Sequence, residues 1–191
     1  DSFIGYISIS EVILVNNPGG ISQAINQYVT VMKATGTLYA EFEGKVKGNT
    51  SLYVNQTFLA KEKINHTNNL AYFSLFDSED NWYGYVNVNA TKVASGKQGI
   101  YQNYGKFVSI SNKNYTTYRN FSWTPLGNTK ETFEKTFQAR GKYEHFNGLT
   151  YLSLYDNTGK WYGYVNQNAT KVGNGRQGAY QNYGKYVTVT N

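Results

Sequence analysis

The chemistry of this chain is concentrated in its aromatic residues, and those residues recur. Tyr72, Trp82, Tyr83, Tyr85, Tyr101 and Tyr104 are matched by Tyr151, Trp161, Tyr162, Tyr164, Tyr180 and Tyr183, each 79 positions further on. Trp and Tyr present large rigid faces with a polar tip, which suits stacking on sugar rings and hydrogen bonding to their hydroxyls. They also suit filling a small core. Strand alternation puts Trp161 and Val165 on one face and Tyr162 and Tyr164 on the other, which favours Trp161 as core and leaves Tyr162 and Tyr164 open to a ligand. Tyr83, Tyr85, Tyr101, Tyr104, Tyr180 and Tyr183 complete the candidate ring set.

A second candidate feature is basic. The net charge is +6, with residues 113–191 holding 10 Lys and Arg against 4 Asp and Glu, and residues 1–112 holding 8 against 8. Lys142, Lys160, Lys171, Arg176 and Lys185 are positioned to form either a polyanion-facing patch, whose pull weakens with salt, or an ordinary solvated surface. His66 and His145 occupy one repeat position and have no Cys or paired carboxylates beside them, which points to a structural role. No Ser-His-Asp set, metal-ligand cluster or phosphate-cradling Gly loop is apparent. The chain therefore reads as a non-enzyme with no cofactor and no metal. Half of it is neutral and no nucleic-acid recognition motif is present, so nucleic acid is not an expected partner.

The elements that must position these residues are strands. Among 191 residues, 17% are aromatic and only 16% charged, with 19 Gly, 2 Pro and no Cys. Such a chain can bury enough surface to fold, and it favours short strands joined by tight turns. No apolar run approaches the roughly 20 residues needed to cross a bilayer as a helix. The chain opens at Asp1 without a signal-peptide pattern and reads as a mature piece or a fragment.

Leu149 to Asn191 aligns with Leu70 to Asn112 without a gap, with 27 identities in 43 positions. The match continues upstream through Thr57/Thr136, His66/His145 and Tyr39/Tyr118. One repeat thus spans 35–112 and another 113–191, and residues 1–34 match the end of a repeat more faintly. Those first 34 residues are either the C-terminal half of a preceding, diverged unit or part of a fold phased differently from the repeat. Within the second repeat, Thr136 to Phe146, Thr150 to Asp156 and Lys160 to Asn166 read as strands, with a hairpin turn at Asn157-Thr158-Gly159. Ala179 and Tyr180, then Tyr186 to Thr190, read as shorter strands. About five strands in so short a unit suggest a small barrel.

The text from Lys135 to Val172, with S-L-Y-D followed by K-W-Y-G-Y-V-N, resembles the GW modules, a bacterial SH3-like (SH3b) cell-wall-targeting family of Gram-positive surface proteins. The Gly-Trp dipeptide that names the family does not occur. The resemblance covers both full repeats and implies an all-β fold of tandem small SH3-like barrels. It also implies a secreted protein at the cell wall or cell surface that binds teichoic acid, lipoteichoic acid or peptidoglycan. The function expected is a non-catalytic targeting module within a larger secreted protein. The alternative is an accessory module that binds a neutral polysaccharide such as a glucan, attached to a secreted enzyme or a surface-layer protein.

Overall fold

Branched and aromatic residues in short runs, cut by Asn, Asp and Gly, leave this chain few options other than hairpins. The computed structural model describes residues 2–13, 19–42 and 44–190 and divides the chain into two units, Asp1–Gly96 and Lys97–Asn191. The first unit holds β1 (Ser22–Val31), β2 (Thr37–Tyr39), β3 (Val46–Asn49), β4 (Thr57–Asn65), β5 (Ala71–Phe76), β6 (Trp82–Asn87) and β7 (Thr91–Val93). The second repeats them as β8 (Gln102–Ile110), β9 (Thr116–Tyr118), β10 (Pro125–Asn128), β11 (Thr136–Glu144), β12 (Thr150–Tyr155), β13 (Trp161–Asn166) and β14 (Thr170–Val172). Each set forms one antiparallel sheet, in the order β3-β2-β6-β5-β4-β1-β7 and β10-β9-β13-β12-β11-β8-β14. The protein is all-β, with β3, β7, β10 and β14 as sheet edges.

The folded units begin earlier than the repeats read from the sequence. Residues 22–31 pair with β4 and β7 of the first sheet, and residues 102–110 belong to the second. A periodic text has no intrinsic first residue, so matching letters fixes the period and leaves the phase to strand pairing. The segment 179–190, expected to contain two short strands, has none, and Tyr180, Tyr183, Tyr186 and Val187 are exposed. Its counterpart β8 pairs with β11 and β14, whereas 179–190 has no partner strand among the described residues. Near the other end, a 3-10 turn at Ile9–Glu11, capped by the Ser8 side chain, matches the turns at Val88–Ala90 and Gln167–Ala169, which are capped by Asn87 and Asn166.

Five strands of the first sheet (β1, β2, β4, β5 and β6) and four of the second (β8, β11, β12 and β13) send apolar side chains to one core cluster in each unit. In the first unit this cluster is built on Val29, Val31, Leu38, Phe58, Phe73, Leu75 and Val86. In the second it is built on Val108, Ile110, Phe137, Leu152, Leu154 and Val165. Each such side chain, fully buried, contributes about 1.5–3 kcal/mol. Hydroxyls tie the strand ends: Thr30 to Thr57 at 3.1 Å, and their counterparts Ser109 to Thr136 at 3.0 Å.

One bulge decides which rings face which way. Leu154 lies opposite Gly163 and Tyr155 opposite Trp161, so Tyr162 is an extra residue in β13. Gly163 has φ +99°, and a Cβ there would come within 2.8 Å of the Tyr118 carbonyl oxygen. Gly84 repeats this at φ +121°, 2.8 Å from the Tyr39 carbonyl oxygen. The bulge breaks simple alternation. Tyr162 and Val165 turn to the core side, while Trp161 and Tyr164 touch each other, with ring centroids 5.3 Å apart, on the outer side. Trp161 is therefore not a core residue beside Val165.

Buried Thr129 closes the start of the second sheet: its hydroxyl donates to the Tyr115 carbonyl oxygen at 3.1 Å and accepts the Tyr115 N–H at 3.0 Å. Thr129→Val keeps the shape and strands the Tyr115 N–H, while the Tyr115 carbonyl oxygen still accepts the Thr129 N–H at 2.9 Å. It is expected to cost about 1–3 kcal/mol, read as a lower urea midpoint at unchanged slope, with Thr129→Ser retaining most of the stability.

Candidate functional site

Both units carry the same groove. In the first unit a groove of about 410 Å³ lies between Trp82 and Tyr83, with Leu38, Lys47, Gly48, Asn49, Leu52, Tyr53 and Asn81 around it. In the second, a groove of about 240 Å³ is lined by Thr117, Leu126, Gly127, Asn128, Glu131, Thr132, Lys160, Trp161 and Tyr162, which are the same positions 79 residues later. The floor is the edge strand β3 or β10. Glycine keeps it open: a Cβ on Gly48 would meet nothing within 4 Å, and one on Gly127 would stand 3.4 Å from the Thr117 hydroxyl.

One wall is fixed by a hydrogen bond and the other by ring packing. The indole N–H of Trp82 donates to Ser74 Oγ at 3.0 Å, and that of Trp161 to Ser153 Oγ at 3.0 Å. Tyr83 packs edge-on to Tyr53 at 5.2 Å and against Phe58 at 4.9 Å, and Tyr162 packs against Phe137 at 4.9 Å. Their hydroxyls face the carboxylates of Asp77 and Asp156, which organise the preceding hairpin turn. Asp156 Oδ1 accepts the Thr158 and Lys160 N–H groups at 2.9 Å each, and Asp77 Oδ1 accepts those of Glu79 and Asn81 at 2.9 Å. The Thr158 hydroxyl and then these donors hold Asp156 below the usual carboxylate range. Burial pushes Asp77 up, but its donors outweigh burial and leave it lowered.

The polar lining differs between the units. Lys47 Nζ sits 4.2 Å above the Trp82 ring and donates to the Trp82 carbonyl oxygen. The second groove has Leu126 at that position and carries Lys160, whose Nζ is 5.2 Å from the Tyr162 ring centre, and Glu131, which accepts from Asn128 Nδ2 at 2.7 Å. Aromatic walls with amide, hydroxyl and charged groups above an open floor can stack on and hydrogen bond to a ligand.

Outside each sheet lies a second aromatic layer. Phe42 and Tyr85 rings are 4.4 Å apart, as are those of Phe121 and Tyr164. The second unit extends the layer with Trp123, where the first has Gly44, and with Tyr143, where the first has Ile64. Burial, then a hydrogen bond with Tyr164, pushes the Tyr143 hydroxyl up. Trp123 covers His145, with ring centroids 5.1 Å apart. His145 is 5% exposed; its Nδ1 accepts the Asn147 N–H at 3.0 Å, so the neutral ring carries its proton on Nε2, which is buried and has no protein partner.

The residues singled out in the sequence are divided by this arrangement. Tyr83, Tyr162 and Lys160 line the grooves, and Tyr85 and Tyr164 belong to the outer layer. Tyr101 lies over Gly141 with its hydroxyl on the Arg140 carbonyl oxygen at 3.1 Å, and Tyr104 packs on the second core. Lys142 is paired with Glu144 at 2.7 Å. Exposed Arg176, Tyr180 and Tyr183 line neither groove. Absent from the original set were Trp82 and Trp161 as groove walls and the Asn49/Asn128 pair on the floor. The Gly-Asn-Thr text shared by residues 48–50 and 127–129 is the sequence signal from which that pair could be found. Among the described residues no three His, Asp or Glu side chains gather as metal ligands, and no helix is long and apolar enough to cross a membrane.

No protein-family model matches the chain, and no curated protein does. A crystal structure of a candidate autolysin from Listeria monocytogenes is similar at a TM-score of 0.38 and 13% identity, over 80% of this chain. The chain spans 64% of that protein's chain.

Burial, with a smaller contribution from Lys97, lowers the pKa of His145, while the Asn147 contact opposes the shift. The neutral ring's contribution to stability is complete above the unfolded histidine value near 6.5. It is lost as pH falls from there through the depressed folded value. Thermal melts from pH 7 to 5 are expected to show this loss, and His145→Phe to remove that part of the slope.

Proposed function

We propose that this chain is a non-catalytic binding module of a secreted, cell-surface protein that holds a repeating envelope polymer through one groove on each unit. The observation that carries the reading is the position-for-position recurrence of the groove, including its Trp and Tyr walls and its Gly-Asn floor. Two like sites on one chain suit a ligand that presents the same chemical unit repeatedly, because the second contact becomes intramolecular. The resemblance to GW modules agrees with this reading, on which each seven-stranded sheet would correspond to a small SH3-like barrel. On that reading the ligand is an anionic wall polymer, with teichoic or lipoteichoic acid as the leading class. The charge distribution supports it for the second unit, which holds 12 Lys and Arg against 4 Asp and Glu.

A neutral polysaccharide is the second reading, and a specific observation favours it. The Trp and Tyr walls and the floor Asn recur in both units, whereas Lys47, Leu52, Tyr53 and Asn81 become Leu126, Glu131, Thr132 and Lys160. A site whose Trp and Tyr walls are constant and whose charge varies is consistent with stacking as the common mode of binding.

Gly48→Val and Gly127→Val fill the grooves at positions where strand propensity favours the larger residue. In sedimentation with purified walls, either change is expected to weaken retention on the order of 100-fold, and the pair to abolish it. Unchanged retention by the double variant would sink the groove assignment. Walls stripped of teichoic acid, and a series in rising salt, separate the two ligand classes: the anionic reading requires loss in both, the neutral one in neither.

A further inference from the structure

The outer face of the first unit has a pocket whose second-unit counterpart is blocked. Its lining is Lys61, Glu62, Ser74, Phe76, Trp82 and Tyr85, and its volume is about 350 Å³. Glu62, Ser74 and Tyr85 stand in one cross-strand row over β4, β5 and β6. The same row in the second unit is Gly141, Ser153 and Tyr164. There Tyr101 lies across the row, so close that a Cβ on Gly141 would come within 2.4 Å of its ring. The first unit has Ser22 where the second has Tyr101, and Glu62 where it has Gly141. One exchange leaves the pocket open and the other places a carboxylate in it.

The charges around the pocket point one way. Lys61 forms an ion pair with Asp80 at 2.5 Å while its Nζ stands 4.1 Å above the Phe76 ring. That ammonium is therefore already balanced, and it shows that a ring of this pocket accepts a cation. Glu62 has no such partner: among the described residues it forms no ion pair. Its field also raises the pKa of the Tyr85 hydroxyl, after burial as the larger cause. In the second unit Arg140 stands 4.3 Å over Tyr155 in the same way, but Gly159 replaces Asp80 and no carboxylate replaces Glu62. Asp1–Gly96 holds 6 Lys and Arg against 8 Asp and Glu, the reverse of the second unit's balance.

We infer that the pocket bounded by Trp82, Tyr85 and Glu62 is a binding site for an alkylammonium group, present on the first unit and absent from the second. The electron-rich faces of Trp and Tyr attract a positively charged group, and a carboxylate lining the same pocket supplies the counter-charge. The site shares Trp82 with the first groove but draws its counter-charge from Glu62, which does not line that groove, and a ligand using both kinds of site would carry an ammonium group in addition to whatever the grooves grip.

The test uses the full chain and small probes. Choline chloride is titrated while the indole N–H resonances of Trp82, Trp123 and Trp161 are followed by NMR, with the uncharged isostere 3,3-dimethylbutan-1-ol and sodium chloride as controls. The expected result is a saturable shift at Trp82 with a dissociation constant on the order of millimolar, and little change at Trp161. Glu62→Gln is expected to weaken choline at least about tenfold. Ser22→Tyr with Glu62→Gly, which copies the second unit's arrangement, is expected to abolish binding in a chain whose other resonances stay in place. A shift of equal size with the uncharged alcohol, an equal shift at Trp161, or no saturation at Trp82 would overturn the assignment. Loss of wall retention in the groove variants with choline binding intact would mark the two sites as separate.

Discussion

The close approach of Gly84 to the Tyr39 carbonyl oxygen, and of Gly163 to that of Tyr118, governs the whole surface of each unit. Only a residue without a Cβ fits there, and only a left-handed backbone makes the extra residue in β6 and β13 possible. With strict alternation, Trp161 would share the side of Val165 and point inward. With the bulge, Trp161 joins Tyr164 outside while Tyr162 joins the core side, and a groove opens between two neighbours in sequence. Both the groove and the outer ring layer therefore rest on a single glycine per unit.

The sheet can support chemistry on both sides because its central strand is buried on both. Tyr72, Phe73, Ser74 and Leu75 of β5 are all buried, as are Tyr151, Leu152, Ser153 and Leu154 of β12. Phe73 and Leu75 anchor the core, and Ser74 uses its hydroxyl to orient Trp82. The hairpin turn then links local backbone to the site. Asp77 and Asp156 collect the turn's N–H groups and also face the Tyr83 and Tyr162 hydroxyls, so the carboxylate that stabilises the turn lies beside a groove wall.

Much of this was legible in the sequence, in proportion to how local the cause was. The hairpin at Asn157-Thr158-Gly159 and the strands beside it follow from turn chemistry and ring content, and the observed strands agree within two residues. The matched pairs at 79-residue spacing gave the all-β repeat and two of the groove walls. Phase was not legible, because β1 finds its partners in β4 and β7 and no local pattern encodes that choice. The faces of Trp161 and Tyr162 were misassigned because a bulge is invisible to period-two reasoning until the glycine's contact is known. Segment 179–190 carries the text of a strand yet has no partner strand among the described residues, which shows that propensity alone does not make a ladder. Glu62 drew no notice in the sequence, since its meaning lies in what stands across the sheet from it.

The Tyr101 and Gly141 pair has a consequence for how units of this kind diverge. A ring in this placement needs the glycine, because a Cβ at 141 would collide with it, whereas the glycine does not need the ring. Conversion of an open unit into a blocked one is therefore ordered: position 141 must lose its side chain before a tyrosine at 101 can lie across the row. The reverse route begins with removal of the tyrosine. Two substitutions on separate strands thus behave as one epistatic unit, and the history of a duplicated array would be recorded in which half of that pair each copy retains.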